Sequence, residues 1–204
     1  MTRSGPPARD PIPIEAIPLI KAHLWENRRN AALFIIGLNT GLRACDLAKL
    51  QLGDFMDEDH CFREQIRIKQ QKTKNFVTPA INGAIKDAIT RWLEDNPAKL
   101  DAYLFYTTVR GHQRNYSKPI TSGHITVLVN QWCDAIGLKG NFGAHSLRKT
   151  RGMTIYKAAS ESVGASQALL ITARTLGHSS IANTMEYLGI NMAEVADWQN
   201  KVEL

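Results

Sequence analysis

The chain has 204 residues, 44% of them hydrophobic, and 25 Lys and Arg against 19 Asp and Glu give it a net charge of +6. This composition excludes global disorder, and the length allows one large domain or two small ones. The positive charge suits a polyanionic partner such as nucleic acid. Because the sequence has neither an apolar run of about 18 residues nor a signal-peptide core, it predicts a soluble cytoplasmic protein without a membrane partner.

Three cysteines, Cys45, Cys61 and Cys133, are widely spaced and include no C-x-x-C pair. This spacing argues against a disulfide framework and favours a reducing compartment. The His and Cys residues also lack the spacing of metal ligands, and no acidic pair is evident. A metallohydrolase is therefore disfavoured, and we expect neither a metal nor another cofactor.

The N-terminal part of the chain predicts a linker followed by helices. Residues 1–13 contain four prolines and are typical of a tail or the remnant of an interdomain linker. Apolar residues at helical spacing predict a helix over 14–25, in which Pro18 lies in the first turn or produces a kink. The wholly apolar run at 31–38 predicts a buried helix that ends near Gly41, with a short helix following it.

The middle of the chain changes character. Alternation and turn residues between 55 and 80 predict an antiparallel sheet of two or three short strands. Asn82 can cap the next helix, and 103–106 is a short extended piece. The remainder predicts helices at about 122–136, 146–159, 166–176, 180–188 and 191–201. The fold expected is mainly α with one small antiparallel β-sheet (α+β).

Arg43 is the first residue that suggests chemistry, since it follows a glycine break and opens the next helix. Helix N-termini attract phosphate, and an arginine there adds a bidentate donor. Asp46 lies one turn later and could pair with Arg43 and hold its orientation. Taken alone, such an arginine is more often an ordinary surface residue.

Four further residues strengthen the signal only in combination. His145 and Arg148 share a helix face at i and i+3, which suits a phosphate that needs both a proton carrier and a cation. His178 lies in a turn after Gly177, and Tyr187 lies in the short helix that follows. Each of them alone is more often structural.

The order of these residues along the chain resembles the catalytic domain of the tyrosine recombinases, or phage integrases. The order is Arg43, then Lys72 in the polar turn, then H-x-x-R at 145–148, and finally L-G-H-x(8)-Y at 176–187. The resemblance covers residues 14–190, which we expect to form the catalytic domain. It implies a site-specific recombinase that cuts and rejoins DNA through a 3′-phosphotyrosyl intermediate without a metal or ATP.

The resemblance also implies roles for individual residues. Arg43 and Arg148 look like the two arginines that clamp the phosphate, and Lys72 looks like the lysine that protonates the leaving 5′-oxygen. His145 looks like the proton-handling histidine, and His178 looks like the one that hydrogen-bonds the phosphate. Tyr187 looks like the nucleophile.

The chain departs from the family pattern in three places. Asp46 stands where the family more often has Glu. Lys74 competes with Lys72 for the role of the catalytic lysine, although Lys72 followed by Thr73 is the better match. The stretch between the H-x-x-R and L-G-H motifs is longer than usual, and we expect 159–166 to absorb the extra length as a loop.

Most relatives also carry a separate helical DNA-gripping domain, whereas here only residues 1–13 precede the predicted fold. The chain could be a fragment of a longer integrase or a naturally short member, like the fimbrial switch invertases. At the other end, 191–204 has helical apolar spacing and is expected to be a tail that docks onto a neighbouring subunit or in cis.

Double-stranded DNA is the expected partner, with a dimer on each site and a tetramer in synapsis. Basic residues outside the motifs are expected to contact DNA phosphates, so that affinity falls with salt. This DNA-binding set is Lys74, Arg110, Arg114, Lys149 and Arg151. Two alternatives are a type IB topoisomerase that relaxes supercoils and a non-catalytic DNA-binding regulator on the same fold.

Overall fold

The computed structural model describes residues 8–109 and 113–190. Within these ranges the chain forms eight α-helices and two two-stranded antiparallel sheets, which confirms the mainly α fold. The helices are α1 (Ala16–His23), α2 (Arg28–Thr40), α3 (Ala44–Leu47), α4 (Gly83–Leu93), α5 (Ser122–Ala135), α6 (Ala144–Val163), α7 (Ala165–Leu176) and α8 (Ile181–Leu188). The strands are β1 (Ile68–Lys69), β2 (Phe76–Val77), β3 (Tyr106–Val109) and β4 (Gln113–Pro119).

Helix α2 is the central element of the core, as its apolar sequence predicts. Its N-terminus is capped by Asn27, whose side chain accepts a hydrogen bond from the Asn30 amide at 3.1 Å. It ends at Gly41, whose φ of +61° lies in the left-handed region that favours glycine. Because α2 packs against both α4 and α6, its end brings Gly41 next to the start of α3 and the face of α6.

The first sheet is the predicted hairpin, and it is very short. Ile68 pairs with Val77 and Lys69 with Phe76, and an isolated bridge joins Gln65 to Ala80. Val77 is buried, whereas the turn that joins the two strands is mostly exposed. The hairpin therefore anchors its turn on the core at only a few points.

A second hairpin, β3–β4, continues from the predicted extended piece at 103–106 and was not itself predicted. Tyr116 on β4 lies 4.6 Å from Tyr106 and 6.4 Å from Trp92, measured between ring centroids. The rest of β4 is largely polar and exposed, so it lacks the apolar alternation that indicates a strand. Its position depends on these three aromatic rings.

The predicted loop at 159–166 is wrong. Helix α6 continues to Val163 and α7 begins at Ala165, so that Gly164 alone separates them. Its φ of +84° allows this sharp turn, and the segment before it contains Ala and Glu, which favour helix. The extra length of this stretch therefore lengthens the α6–α7 pair, whose two helices pack along each other.

Residues 8–13, which belong to the predicted tail or linker, lie against the domain. The Asp10 amide donates to the Asn141 carbonyl at 3.0 Å, and the Ile12 amide donates to Thr150 Oγ1 at 2.7 Å. Ile12 is only 1% exposed, so this segment contributes to the core. Residues 191–204, for which a helical tail was predicted, lie outside the described residues. No helix in the described ranges is long and apolar enough to cross a membrane.

Candidate active site

The first turn of α6 carries the H-x-x-R motif. Ser146 fixes the start of this helix, since its hydroxyl accepts a hydrogen bond from the Gly143 amide at 3.1 Å. Arg148 then points into the interior and is 1% exposed, while His145 is exposed. The two residues are neighbours in the same turn, but one is fixed by the protein and the other is open to a ligand.

Backbone carbonyl groups hold Arg148 from two sides. Its Nη1 donates to the Gly41 carbonyl and its Nη2 donates to the Leu176 carbonyl, both at 2.6 Å. Burial, followed by the nearby charge of Arg43, lowers the pKa of Arg148 to about 10. It therefore remains a cation at neutral pH, and its orientation is set before any substrate binds.

Arg43 is oriented by Gln70, a buried residue on the turn side of β1. Arg43 lies at the N-cap of α3, as predicted, and its Nη1 donates to Gln70 Oε1. The Gln70 Nε2 donates to the Leu176 carbonyl at 3.2 Å, the same oxygen that accepts from Arg148. Thr73 also donates to Gln70 Oε1, at 2.7 Å. The side-chain amide of Gln70 thus links the two arginines, since it accepts from Arg43 and shares the Leu176 carbonyl oxygen with Arg148.

The predicted ion pair between Asp46 and Arg43 is wrong. Asp46 is buried, and its Oδ1 accepts a hydrogen bond from the Gln71 amide at 2.9 Å, while its Oδ2 has no hydrogen-bond partner in the described part of the chain. Arg43 uses Gln70 as its acceptor instead, because the hairpin turn supplies a separate partner to each side chain, the Gln70 amide to Arg43 and the Gln71 backbone to Asp46. Asp46 therefore holds the turn that carries Lys72.

The two candidate lysines differ in their surroundings. Lys72 is exposed in the turn, and its positive charge lies near enough to His145 to contribute to lowering the pKa of that residue. Lys74 is also exposed, but it contributes to the shape of the turn through its backbone. Its φ is +60° and its amide donates to the Gln70 carbonyl at 2.9 Å. Proximity to His145 favours Lys72.

His178 is positioned by the end of α7 and by α8. Gly177 ends α7 with a φ of +62°, and a side chain there would collide with Val77 and Gln70. The Nδ1 of His178 makes a hydrogen bond with Thr184 Oγ1 at 3.0 Å. Burial and the nearby charge of Arg148 lower the pKa of His178 to about 4, so its imidazole is neutral at neutral pH.

Tyr187 lies in the last turn of α8, between the two histidines. Its ring centroid is 5.2 Å from that of His145 and 5.1 Å from that of His178, and both pairs meet edge to face. The hydroxyl is buried and has no hydrogen bond of normal geometry to any described residue. Burial raises the pKa of Tyr187 against the opposing influence of Arg148 and Arg43, so the phenol is protonated.

The structure thus brings the predicted catalytic residues into one site. Partial desolvation of the ring, followed by the charges of Arg148, Arg43, Lys149 and Lys72, lowers the pKa of His145, so all four cations lie within electrostatic range of it. Sequence reasoning missed Gln70 and Thr184. Gln70 lies in a run of polar turn residues, and nothing in the sequence indicates that it is buried. The role of Thr184 is evident only from its hydrogen bond to His178 in the structure.

The predicted DNA-binding set is dispersed. Lys149 lies beside His145 and donates to the Arg9 carbonyl at 3.3 Å. Arg114 is away from this cluster, on β4, where it donates to the Asp95 carbonyl at the end of α4. Arg151 lines a separate cavity, and Arg110 lies outside the described residues.

Comparison with known proteins agrees with this geometry. Residues 18–194 match the family described as the phage integrase family. The chain is 31% identical over 179 residues to the probable integrase/recombinase YoeC of Bacillus subtilis, and the match covers 87% of both proteins. The chain belongs to the phage integrase family. Tyrosine recombinase XerC of Corynebacterium efficiens is 30% identical over 168 residues, which are 81% of this chain but 48% of that protein.

Solved recombinase structures share the fold of this integrase-family chain. XerH bound to a palindromic difH substrate matches with a TM-score of 0.66 and 20% identity, over 98% of this chain and 55% of XerH. A lambda integrase dimer bound to a core site matches with a TM-score of 0.64 and 15% identity, over 92% of this chain and 62% of that one. The chain therefore spans about half to two thirds of these proteins.

Proposed function

We propose that this chain is the strand-exchange domain of a site-specific DNA recombinase and that Tyr187 is its nucleophile. One observation carries the proposal: the phenol of Tyr187 lies between the rings of His145 and His178, within electrostatic reach of Arg148 and Arg43. A tyrosine in such a cationic setting is suited to attack a phosphodiester, whose transition state gains negative charge.

In the cleavage step, Tyr187 Oη attacks the phosphorus, and a bond from tyrosine to the 3′-phosphate replaces the bond from phosphorus to O5′. The phenol is protonated at neutral pH, so its proton must leave as the new bond forms. Because its pKa is lowered, His145 is a neutral acceptor for that proton. Lys72 donates a proton to the leaving O5′.

The arginines act on the phosphate itself. Arg43 and Arg148 stabilise the charge on the non-bridging oxygens, and His178 contributes a hydrogen bond to them. Rejoining is the reverse reaction, in which a 5′-hydroxyl from the partner DNA attacks the phosphotyrosine. The bond energy is kept in the covalent intermediate, so the reaction requires neither ATP nor a metal.

The partner is double-stranded DNA, on which a dimer forms at each site and a tetramer forms in synapsis. The basic residues near the site, among them Lys74 and Lys149, contact phosphates on either side of the scissile one. Since the substrate is DNA, the protein is expected to act in the cytoplasm. Its net charge of +6 and its DNA-bound structural relatives support this assignment.

The decisive test is a covalent adduct formed in EDTA. The protein is incubated with a nicked DNA site that loses a short 5′-hydroxyl fragment after cleavage, so that the adduct is trapped. Wild type should form an adduct of protein and DNA that resists denaturation, and Tyr187→Phe should form none, because it lacks the attacking oxygen. Tyr156→Phe, on α6, is the matched control and should react like wild type.

Other outcomes identify the rival functions. An adduct that survives Tyr187→Phe, or one that needs Mg²⁺, contradicts the mechanism. Relaxation of supercoiled DNA without strand exchange would indicate a type IB topoisomerase. DNA binding by wild type without any adduct would indicate a regulator.

A further inference from the structure

Arg151 is a partly buried cation without a partner. It lies one turn after Arg148 on α6, and its Cβ and Cγ pack against Gly41. Its Nε is buried and makes no hydrogen bond, and the side chain forms no ion pair with any residue in 8–109 or 113–190. Burial alone lowers the pKa of Arg151, with no carboxylate to oppose it. Leaving a charge in this state costs free energy unless a ligand compensates it.

The other buried or half-buried arginines among the described residues have acceptors, which makes Arg151 an exception. Arg148 donates to two carbonyl oxygens and Arg43 to Gln70. Arg29, which is also partly buried, donates to the Tyr106 carbonyl at 3.0 Å and to the side chain of Asn30 at 2.9 Å. The same fold thus satisfies buried guanidinium groups elsewhere with its own oxygens, but it provides none for Arg151 among the residues described.

Arg151 lines an open cavity of about 490 Å³ whose walls come from several different elements. The end of α2, the segment after β2, α6 and α7 each contribute to the wall. Its polar lining consists of Asn39, Thr40, Thr78, Arg151, Arg174 and Thr175. No Asp or Glu is among the described residues that line it, so its charged groups are two cations. The hydroxyls of Thr40 and Thr175 already donate to the Ile36 and Ile171 carbonyls, which leaves Thr78 and Asn39 as neutral donors.

The cavity is distinct from the candidate active site. Gly41 separates them, because its carbonyl accepts from Arg148 while its Cα faces the stem of Arg151. None of the residues proposed to act on the scissile phosphate lines the cavity. Arg174 lies at its exposed rim, near the end of α7, and makes no hydrogen bond in the described structure.

We propose that this cavity is a second oxyanion site that binds a phosphate group, with Arg151 inside and Arg174 at the rim. The two guanidinium groups supply charge-assisted hydrogen bonds. The Thr78 hydroxyl and the second amide hydrogen of Asn39, whose first donates to the Ile35 carbonyl, supply neutral ones. The phosphate can be a free one or one from a DNA backbone, and both share this chemistry. The proposal does not depend on the recombinase function.

Binding of inorganic phosphate tests the site. Phosphate is titrated at constant ionic strength into wild type, Arg151→Met and Arg174→Met, and also into Arg67→Met as a matched control. Arg67 is exposed and lies over the Phe76 ring, outside the cavity. Loss of the charge-assisted bonds of Arg151 should weaken binding about tenfold to a hundredfold, with a smaller loss for Arg174→Met and none for Arg67→Met.

The catalytic arginines could also bind phosphate, so the titration is repeated with Arg43→Gln in every variant. If the cavity is a separate site, Arg151→Met should cause the same loss in both backgrounds, because independent sites are additive. A loss that disappears in the Arg43→Gln background would place the phosphate at the catalytic site and overturn the proposal. Equal binding by wild type and Arg151→Met would also overturn it.

Two further arms identify the occupant. If the phosphate belongs to DNA, Arg151→Met should lower the salt dependence of DNA affinity by about one counterion, whereas a free phosphate leaves that slope unchanged. If phosphate binds only after deletion of 191–204, the cavity is filled by the chain's own tail and the proposal is wrong.

In phosphate-free buffer Arg151→Met should raise the unfolding temperature, since it removes an uncompensated charge. A lower temperature would indicate a structural role for Arg151 and contradict the site.

Discussion

The proposed site has two halves that are built differently. In the buried half, Arg148 is held by two backbone carbonyl groups and Arg43 by the amide of Gln70. In the exposed half, Lys72 lies in a turn that is tied to the core by backbone contacts from its neighbours Gln71 and Lys74. The side chain of Lys72 makes no hydrogen bond or ion pair within the described structure.

The difference matches what each half has to do. Groups that stabilise transition-state charge work best when they are already oriented, because no reorganisation is then needed during the reaction. A proton donor has to approach the leaving oxygen of a bound strand, and an exposed lysine on a short hairpin can do so. The buried half should therefore affect both stability and rate, and the exposed half should affect rate alone.

Apart from loss of the nucleophile itself, the largest expected effect is at Lys72. Lys72→Met should slow cleavage by about 10²- to 10⁴-fold, which is the usual loss on removing a general acid, with no change in unfolding temperature. Lys74→Met is the matched control: with protein and DNA at saturating concentrations, so that a lost phosphate contact does not limit the reaction, it should change the rate by less than about threefold. The rate is measured from adduct formation on the nicked DNA site.

A modified substrate separates proton donation from phosphate binding. When sulfur replaces the leaving O5′, the leaving group no longer needs a proton, so Lys72→Met should recover most of the wild-type rate. An equal defect on both substrates would show that Lys72 binds rather than protonates. A larger loss for Lys74→Met than for Lys72→Met would reverse the assignment of the catalytic lysine.

Gln70 tests the buried half. Gln70→Met removes the acceptor of Arg43 and the second donor to the Leu176 carbonyl, and should slow cleavage about tenfold to a hundredfold while destabilising the fold by about 1–2 kcal/mol. Gln71→Met removes only an exposed hydrogen bond to the Cys45 carbonyl, so it should leave the rate unchanged and alter the stability by less than about 0.5 kcal/mol. Both quantities are measured on the same preparations, by adduct formation and by thermal unfolding.

A positioning role also predicts coupling. If Gln70 acts through Arg43, then Gln70→Met combined with Arg43→Lys should slow cleavage less than the product of the two separate effects. Fully additive free energies would mean that Gln70 supports the fold without orienting Arg43.

The smallest expected effect is on acid stability, through His178. Its folded pKa of about 4 lies below the ordinary value of 6.5, so the unfolded chain binds a proton more readily. The contribution of His178 is present above pH 6.5 and is lost as pH falls toward 4. Since the ring is partly solvated, this loss should be about 1 kcal/mol.

Unfolding free energies at pH 7 and pH 4.5 measure the effect. His178→Gln should flatten the acid loss, and His124→Gln, at an exposed position on α5, should leave the wild-type profile unchanged. An unaltered profile in His178→Gln would show that other groups cause the acid loss.

Much of the site could be predicted because its residues sit at recognisable breaks. Gly41 and Gly177 end helices in left-handed conformations, so the residues that follow them were placed correctly at the start of α3 and in the turn before α8. The first turn of α6 could be assigned from the spacing of His145 and Arg148. These features depend on local backbone geometry, which the sequence encodes directly.

Features that depend on contacts across the fold could not be predicted. Asp46 and Arg43 have the spacing of a helical pair, but the hairpin turn supplies each with its own partner, the Gln71 amide for Asp46 and the Gln70 side chain for Arg43. The burial of Gln70 follows from the packing of β2 and the adjoining turn against the end of α7, which leaves no trace in a polar turn. The β4 strand was missed because its stability comes from aromatic rings on other elements.

The use of main-chain oxygens to hold Arg148 has a consequence for how the sequence can diverge. A substitution at Leu176 cannot delete the carbonyl that binds Arg148 and Gln70. Different apolar residues can therefore occupy this position without disturbing the guanidinium of Arg148. The adjacent Gly177 has no such latitude, because a Cβ there would lie 2.6 Å from Val77 Cγ1 and 2.8 Å from Gln70 Oε1. Mutational sensitivity should therefore concentrate at the glycines, which shape the acceptors, rather than at the residues whose oxygens do the binding.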